Sequence, residues 1–247
     1  MPTIRLIIDP PLPGAWNMAV DEALLEWAAG GGACLRFYQW AAPTLSLGYF
    51  QNASERASHA ASAHCPLVRR TTGGGAILHD RELTYSFTAP IGERFSTTLA
   101  QTYHAFHDTL IAALAGWGVR ASRHREEAVL QSGATEPFLC FQRRAAGDVV
   151  FQQAKICGSA QRRQRGAALQ HGSILLGRSD FAPELDGLLE LRGQTIPPEE
   201  LGSRWLEALS GKLPWQFDLR PLTEQEATIV GKISRDKFAS PAWSHRR

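Results

Sequence analysis

The chain has 247 residues, of which 44% are hydrophobic and 20% are charged, and its formal net charge is +2. This composition is typical of an ordinary globular protein, and the small net charge argues against a nucleic-acid-binding surface. We find no apolar run of about 18 residues, which a membrane-spanning helix would need, and no secretory signal, so we expect a cytoplasmic protein.

The first part of the chain is predicted to contain short strands and one helix. Residues 3–8 form the first predicted strand, and Asn17 is predicted to cap a helix that ends at a run of glycines. Two further strands are expected at 35–38 and 44–47, on either side of a turn that contains proline. Residues 83–87 alternate between apolar and polar side chains, which predicts a half-buried strand.

The middle of the chain is predicted to contain its longest helix and a hairpin. The helix begins at Ser96 and ends near Gly116. Its apolar stripe predicts a face that packs against the core, made of Leu99, Tyr103, Phe106, Leu110 and Leu114. Residues 122–136 are polar and predict a surface loop, whereas 149–151 and 155–157 predict a hairpin.

The last third of the chain is predicted to be largely helical. Residues 167–176 predict one more strand, and from about residue 180 the apolar spacing becomes helical. Thr223 and Glu226 have the spacing of a capping box, so the last helix is expected after Thr223. Strands in the middle and helices at the end together predict an α+β (mixed α/β) fold.

The segment from Arg69 to Asp80 contains three consecutive glycines, Gly73, Gly74 and Gly75. Consecutive glycines are typical of a backbone that needs positive φ angles or that a ligand must approach closely. The apolar residues on both sides predict a strand, a glycine turn and a second strand, and the backbone N–H groups of such a turn can form an anion or oxyanion site. A tight hairpin with spare glycines is the alternative interpretation.

Lys155 opens a second unusual segment, because its ammonium stands at the start of an apolar stretch. An anionic partner would explain this position, and so would a side chain that reaches solvent from the end of a strand. Arg162, Arg163 and Arg165 follow, and a solvated turn is favoured for them over a binding site.

The four cysteines are widely spaced and form no Cys-x-x-Cys pair; they are Cys34, Cys65, Cys140 and Cys157. A disulfide framework is not expected in a chain of this length without a secretory signal. The closest histidine pair, His104 and His107, has no cysteine or acidic residue at ligand spacing, so no metal site is expected either.

Several motifs follow one another along nearly the whole chain. They are residues 17–24, residues 45–51 (Leu-Ser-Leu-Gly-Tyr-Phe-Gln), the Arg-Arg-x-Thr-Gly-Gly-Gly-Ala-x-x-His-Asp segment at 69–80, Lys-x-x-Gly-Ser-Ala-Gln-Arg at 155–162, Leu-Gln-His-Gly-Ser at 169–173, and residues 237–243. In this order they resemble the biotin/lipoate A/B protein ligase superfamily, which includes lipoate-protein ligases and octanoyltransferases. The resemblance implies one catalytic domain over residues 1–247, with a mainly antiparallel sheet flanked by helices.

Two features are similar to the cysteine-dependent octanoyltransferases of this superfamily. Residues 82–86 read Glu-Leu-Thr-Tyr-Ser where ligases more often have Gly-Asn-Leu-Asn, and Cys140 with Phe141 stands where ligases tend to have Asn-Asp. Two features depart from that branch. Gly75 completes a triple glycine that is more similar to the ligases, and the turn before Lys155 lacks the usual glycine or basic residue.

The resemblance implies an acyl transfer through Cys140. The matching cysteine takes an octanoyl group from acyl carrier protein as a thioester and passes it to a lysine of a lipoyl domain, such as glycine-cleavage H protein or a 2-oxoacid dehydrogenase E2 subunit. Lys155 is the second implied catalytic residue and binds the acyl carbonyl. The implied substrate-binding residues are Arg70, Gly73, Gly74, Gly75, His79, Ser46, Gly158, Ser159, His171 and Gly172. No metal or cofactor is expected.

Other interpretations stay open at this point. An ATP-dependent lipoate-protein ligase would need Mg-ATP, a lipoyl-domain amidotransferase uses similar motifs, and a non-catalytic relative would only bind lipoyl domains or carrier protein. Cys157 is a rival nucleophile, although a buried structural thiol is the favoured interpretation, as it is for Cys34 and Cys65. His79, Asp80 and His171 are expected to form supporting hydrogen bonds.

Overall fold

The computed structural model describes residues 1–92, 95, 98–125 and 136–246. The strands in these ranges are β1 (Thr3–Ile8), β2 (Cys34–Tyr38), β3 (Thr44–Leu47), β4 (Leu67–Arg69), β5 (Ile77–His79), β6 (Glu82–Pro90), β7 (Ser122–Arg123), β8 (Val149–Phe151), β9 (Ala154–Gln164), β10 (Ala167–Leu175) and β11 (Gln216–Leu219). The α-helices are α1 (Gly14–Ala29), α2 (Leu99–Ala115), α3 (Leu188–Arg192), α4 (Pro198–Lys212), α5 (Glu224–Ile233) and α6 (Pro241–Ser244). A π-helical segment, Ser234–Phe238, joins α5 to α6.

The main sheet joins eight of these strands in the order β11-β1-β2-β6-β10-β9-β8-β7. β1 runs parallel to β2 and β11, and the remaining pairs are antiparallel. The central strands β6 and β10 pair along their whole length, from Glu82 with Leu175 to Pro90 with Ala167. The predicted α+β fold with a mainly antiparallel sheet is therefore confirmed.

Helices cover both faces of the main sheet. On one face, Phe106 of α2 and Trp205 of α4 pack against Tyr85 of β6, with ring centroids 5.1 and 4.8 Å from that of Tyr85. On the other face, α1 and the C-terminal helices form a second core cluster that includes Val20 and Val230. The prediction that residues 83–87 are half-buried is therefore wrong: the polar face of this strand is covered by α1 and is buried too.

The polar side chains of β6 that face α1 can be buried because α1 supplies hydrogen-bond partners for them. Ser86 donates its hydroxyl to Asp21 of α1 at 2.8 Å. The predicted cap of this helix is also wrong, since α1 begins at Gly14 and Asn17 lies buried inside it. The Asn17 amide instead binds the carbonyl of Gln39, and its oxygen accepts from Arg36 of β2 at 2.7 Å. This polar residue holds α1 against the sheet.

A separate three-stranded sheet carries the glycine segment. Its order is β4-β3-β5, and β3 is parallel to β4 and antiparallel to β5. The two strands on either side of the glycines are therefore not partners, and the hairpin interpretation is wrong. The glycine segment crosses over the end of β3, where Tyr49 donates its backbone N–H to the carbonyl of Thr72.

The hairpin of β8 and β9 is confirmed, and it is longer than predicted. Gln152 and Gln153 form its turn with φ angles of 47° and 66°. β9 continues to Gln164, so Arg162 and Arg163 lie in a strand, and the prediction of a turn holds only for Arg165, whose φ is 49°.

The C-terminal part is helical except for β11, which extends the main sheet beside β1 and was missed by the sequence prediction. The capping box at Thr223 is confirmed, with its side chain accepting from the N–H of Glu226. The predicted start of α2 at Ser96 and most of the predicted loop at 122–136 lie outside the described residues, and Thr98 caps α2. In the described ranges, no helix combines the length and the apolar character that crossing a membrane requires.

Candidate active site

A pocket opens where the glycine segment faces β9 and β10, and it encloses about 540 Å³ including its mouth. Ten predicted site residues line it: Arg70, Gly73, Gly74, His79, Cys140, Lys155, Gly158, Ser159, His171 and Gly172. Ser46 and Gly75 lie behind the lining and bind the side chain of Arg70. The inner wall adds residues that the sequence did not single out, namely Met18, Tyr38, Trp40, Ile77, Thr84, Phe141, Ala160 and Ser173.

Cys140 begins a short 3₁₀ turn (Cys140–Gln142) that is hydrogen-bonded to the glycine segment. Ala76 donates its N–H to the carbonyl of Phe138 at 3.0 Å, and Cys140 donates its N–H to the carbonyl of Ala76 at 2.7 Å. Leu139 is buried between them. This pairing fixes the thiol beside the glycines, and a Cβ built on Gly74 would lie 3.9 Å from the Cys140 sulfur.

The side chain of Lys155 reaches from β9 to Cys140. Its Nζ lies 3.8 Å from the Cys140 Sγ and 3.4 Å from the Cys140 carbonyl oxygen. The Asp148 Oδ2 lies 2.8 Å from the same Nζ, and both side chains of this ion pair are buried. Burial opposes the charge on Lys155, but Cys140 and Asp148 outweigh it and raise the pKa of Lys155 above its ordinary value. The alternative that Lys155 reaches solvent is therefore wrong.

Asp148 was missed by the sequence analysis. It follows Gly147 just before β8, seven residues before Lys155. The hairpin register places Val149 opposite Cys157, so Asp148, the residue before β8, lies near Gly158, and the side chain of Lys155 also extends to Gly158. An acidic residue at this position of the hairpin is the signal that could have identified the partner.

Arg70 stabilises the glycine segment by hydrogen bonds to its carbonyl groups. Its guanidinium donates to the carbonyls of Gly73 and Gly75 at 2.8 and 2.7 Å and to the carbonyl of Ser46 at 3.1 Å. Burial lowers the pKa of Arg70 to about 10, so it remains a cation at neutral pH. Arg70 thus stabilises the conformation of the segment, and Gly74 adopts a φ of +91°.

His79 is part of a buried hydrogen-bonded chain under the pocket. Its Nε2 lies 2.8 Å from the Ser46 Oγ, and its Nδ1 lies 2.8 Å from Glu82. Its ring stacks on Trp40 with centroids 3.8 Å apart. Burial lowers the pKa of His79 although Glu82 opposes this, so the ring is neutral at pH 7. The expected supporting role agrees with this geometry.

His171 occupies a similar position on the opposite wall. Its Nε2 lies 2.7 Å from the Thr72 Oγ1, and its Nδ1 lies 3.0 Å from Asp21. Burial disfavours the charge of Asp21, but the hydrogen bond from His171 and the charge of Arg36 outweigh it and lower the pKa of Asp21. The hydrogen bonds that link Asp21, His171 and Thr72 therefore connect α1 and β10 to the glycine segment.

Two glycines of the pocket have no room for a side chain, because neighbouring side chains occupy the space where a Cβ would lie. A Cβ on Gly158 would lie 2.5 Å from the Lys155 Cε, and one on Gly172 would lie 2.3 Å from the Ser159 Oγ. Ser159 is held by the hydroxyl of Tyr85 at 2.8 Å. Gly158 and Gly172 thus serve the site by the absence of a side chain.

The other cysteines lie in the core. Burial raises the pKa of Cys34 to about 12 and raises the pKa values of Cys65 and Cys157 as well. Cys157 is fully buried, 3.9 Å from His107. The interpretation of these thiols as structural agrees with their burial. Among the described residues, no group of three or more His, Cys, Asp or Glu side chains is arranged to hold a metal ion.

Comparison with known proteins identifies the family of this chain. Residues 13–193 match the model of the lipoyl protein ligase A/B catalytic domain. The chain belongs to this family. An octanoyltransferase LipM from Geobacillus kaustophilus (strain HTA426) is 32% identical to this chain over an alignment of 266 positions, gaps included. The alignment covers 95% of each chain.

Solved structures show the same fold. Protein Ta0514 from T. acidophilum, with bound lipoic acid, matches with a TM-score of 0.80 and 21% identity, over 99% of this chain and 100% of that one. A bi-partite lipoate protein ligase from Thermoplasma acidophilum, solved with its E2 lipoyl domain, matches with a TM-score of 0.77 and 19% identity, over 99% and 97%. The predicted lipoate protein ligase-like fold is confirmed.

Proposed function

We propose that this protein is an octanoyltransferase of protein lipoylation, which moves an octanoyl group through a thioester on Cys140 to a lysine of a lipoyl domain. The observation that carries the proposal is the buried Lys155 ammonium, 3.8 Å from the Cys140 sulfur at an apolar pocket. The named relative supports octanoyl transfer, and the solved ligase with its E2 lipoyl domain supports a lipoyl domain as acceptor.

The first step joins the acyl group to Cys140. The Cys140 thiolate attacks the carbonyl carbon of an octanoyl thioester, a new carbon–sulfur bond forms, and the donor leaves as a thiol after taking a proton. We assign the donor role to acyl carrier protein, in the cytoplasm. The ammonium of Lys155 stabilises both the attacking thiolate and the negative charge that develops on the carbonyl oxygen.

The glycine segment supplies a second source of stabilisation. Within the described part of the chain, the backbone N–H groups of Gly73, Gly74 and Gly75 donate to no protein acceptor. The backbone at Gly74 passes close to Cys140, since a Cβ there would lie 3.9 Å from the sulfur to which the acyl group becomes attached. Backbone donors held in place in this way stabilise an oxyanion without reorganising during the reaction.

The second step transfers the acyl group to nitrogen. The neutral amine of the acceptor lysine attacks the thioester carbon, the amide bond forms, the nitrogen releases a proton, and Cys140 leaves as a thiolate beside Lys155. Burying the hydrocarbon chain in the pocket contributes roughly 0.8 kcal/mol per CH₂ group, or about 5 kcal/mol for an octanoyl chain. This chemistry needs no metal and no cofactor.

Intact-mass measurement tests the proposal. Incubation with octanoyl-acyl carrier protein and no ATP should add one octanoyl group, which hydroxylamine removes, and Cys140→Ala should block both labelling and transfer to a lipoyl domain. Cys157→Ala is the matched control and should label normally, because its thiol is buried in the core. Transfer that requires a free acid and Mg-ATP and survives Cys140→Ala would instead support a ligase. Saturable binding of the carrier without any transfer would support a non-catalytic relative.

A further inference from the structure

Asp148 is a buried carboxylate whose two oxygens are both engaged. Its Oδ2 lies 2.8 Å from the Lys155 Nζ and accepts the backbone N–H of Ala145 at 2.8 Å. Its Oδ1 accepts the hydroxyl of Tyr103 from α2 at 3.2 Å. Only 2% of the Asp148 surface is exposed, so this charge is compensated by these donors and not by water.

The backbone that carries Asp148 is fixed independently of Lys155. Gly147 donates its N–H to the carbonyl of His124 at 2.8 Å, and His124 donates its N–H to the carbonyl of Asp148 at 2.7 Å. The ring of His107 in α2 binds the Gly147 carbonyl at 2.6 Å. The carboxylate is therefore anchored to α2 and to the β7 end of the sheet, and it provides a fixed point for the flexible lysine.

The remaining contacts of the Lys155 ammonium are weak by comparison. The Cys140 carbonyl oxygen lies at 3.4 Å, the Cys140 sulfur at 3.8 Å and the Phe141 ring centroid at 5.3 Å. A four-carbon side chain held by these contacts alone would have no fixed direction, whereas a charged hydrogen bond at 2.8 Å defines one. The position of the Nζ beside the Cys140 sulfur is therefore set by Asp148.

We propose that Asp148 is a positioning residue of the acyl transfer, which holds Lys155 as an ammonium directed at Cys140. The proposal rests on the function proposed above for Lys155 and Cys140. Asp148 contacts the Lys155 ammonium, and this ammonium in turn contacts the Cys140 sulfur, so Asp148 acts through the lysine.

Apart from Cys140, the titratable groups around the ion pair cannot replace the charge of Asp148. Those that face the ion pair in the described part of the chain are Cys140, Cys157, Tyr103 and His107. Burial lowers the pKa of His107 to about 4, and burial raises the pKa values of Tyr103 and Cys157, so these three groups are uncharged at neutral pH. Without Asp148, Cys140 alone would oppose the effect of burial, so the pKa of Lys155 would fall and the ammonium would be lost at a lower pH.

The test measures the titration of Lys155 directly. The chain has four lysines, so ¹³C-lysine labelling gives four Cε signals, and Lys155→Arg assigns the one of interest. Asp148→Asn should move the Lys155 titration down by about one pH unit or more, while Asp148→Glu should largely restore it. Asp108→Asn is the matched control, because half-buried Asp108 pairs with exposed Lys212 at 3.0 Å and should affect only the Lys212 signal. An unchanged Lys155 titration in Asp148→Asn would overturn the proposal.

A second measurement reports on the reaction. Acylation of Cys140 by S-octanoyl-N-acetylcysteamine should be about tenfold slower or more in Asp148→Asn, and its rate should fall at alkaline pH where that of the unmodified protein still rises. An equal loss at every pH would mean a merely structural role. If the unmodified protein is not acylated, the proposed function fails, while the lysine titration still decides the role of Asp148. If Asp148→Asn does not fold, Asp148→Ser, which removes the charge but keeps a hydroxyl that can accept a hydrogen bond, must lower the Lys155 titration in its place.

Discussion

At the scale of single residues, some of the buried titratable groups of the site are charged and others are neutral. Lys155 and Arg70 are buried cations at neutral pH, whereas His79 is held neutral by burial. A lysine whose pKa is raised is a poor proton acceptor but an effective fixed positive charge. Lys155 is therefore suited to stabilise a thiolate and an oxyanion.

Replacing Lys155 tests this assignment. Lys155→Ala should lower the rate of Cys140 acylation by about 10²–10³-fold, the usual cost of removing one oxyanion donor. Lys155→Arg should recover little, because the planar guanidinium is larger than the ammonium and cannot fit the same space between Asp148 and Cys140. Rates from intact mass, with folding checked by circular dichroism, measure the effect. Lys212→Ala, at an exposed position, is the control, and near-normal acylation by Lys155→Ala would remove Lys155 from the site.

At the scale of elements, the site depends on how closely β3 approaches the glycine segment. A Cβ on Gly48, at the end of β3, would lie 1.9 Å from the carbonyl oxygen of Gly74, which no side-chain movement can relieve. Gly48 also accepts a hydrogen bond from Arg69 at 2.9 Å through its carbonyl. The small sheet therefore sets the position of the glycine backbone relative to Cys140.

Gly48→Ala should displace the glycine segment from Cys140. We expect a loss of about 1–3 kcal/mol in the free energy of unfolding from the steric overlap, together with a fall of roughly tenfold or more in acylation rate. Gly211→Ala is the matched control, since a Cβ on this α4 residue would meet no atom within 4 Å. That change should be neutral or stabilise by up to about 1 kcal/mol. Thermal unfolding and acylation rates of both variants check the prediction, which a Gly48→Ala protein with normal activity would contradict.

At the scale of the whole molecule, one ion pair joins the first strand to the last helices. Arg5 of β1 binds both carboxylate oxygens of Glu226 in α5, at 2.6 and 2.8 Å, and also the carbonyl of Arg220. The hydrogen bonds from Arg5 lower the pKa of Glu226 to about 2. This contact holds α5 against β1, the strand beside which β11 pairs.

Glu226→Gln should destabilise the fold in a pH-dependent way. Because the pKa of Glu226 is lower in the folded state, the pair stabilises above about pH 4.5 and loses its effect as the pH falls toward 2. Partial exposure limits the pair to about 1 kcal/mol, or roughly 2–4 °C in Tm at pH 7. The difference from the unmodified protein should shrink between pH 5 and pH 3. Asp218→Asn, in an exposed pair with Arg220, is the control and should change little. A difference that is constant with pH would rule out this linkage.

The sequence by itself determined the fold class, the positions of most strands along the chain, the family and the activity. It did so because apolar periodicity reports burial, and because the motifs at residues 69–80, 155–162 and 169–173 resemble those of the family in residue type and in order. It also selected Cys140 and Lys155, which the structure places together. The extent of a single catalytic domain over 1–247, and the roles of the selected residues, stay predictions for experiment.

Only the tertiary structure decided which partners those residues have. Asp148 pairs with Lys155 across a hairpin, Asn17 holds a helix against a strand, and β11 joins a strand more than 200 residues away. The glycine segment became a crossover because β3 inserts between β4 and β5. Each of these is a contact between distant segments, and local periodicity carries no information about which distant segment supplies the partner of a buried charge or of a strand edge.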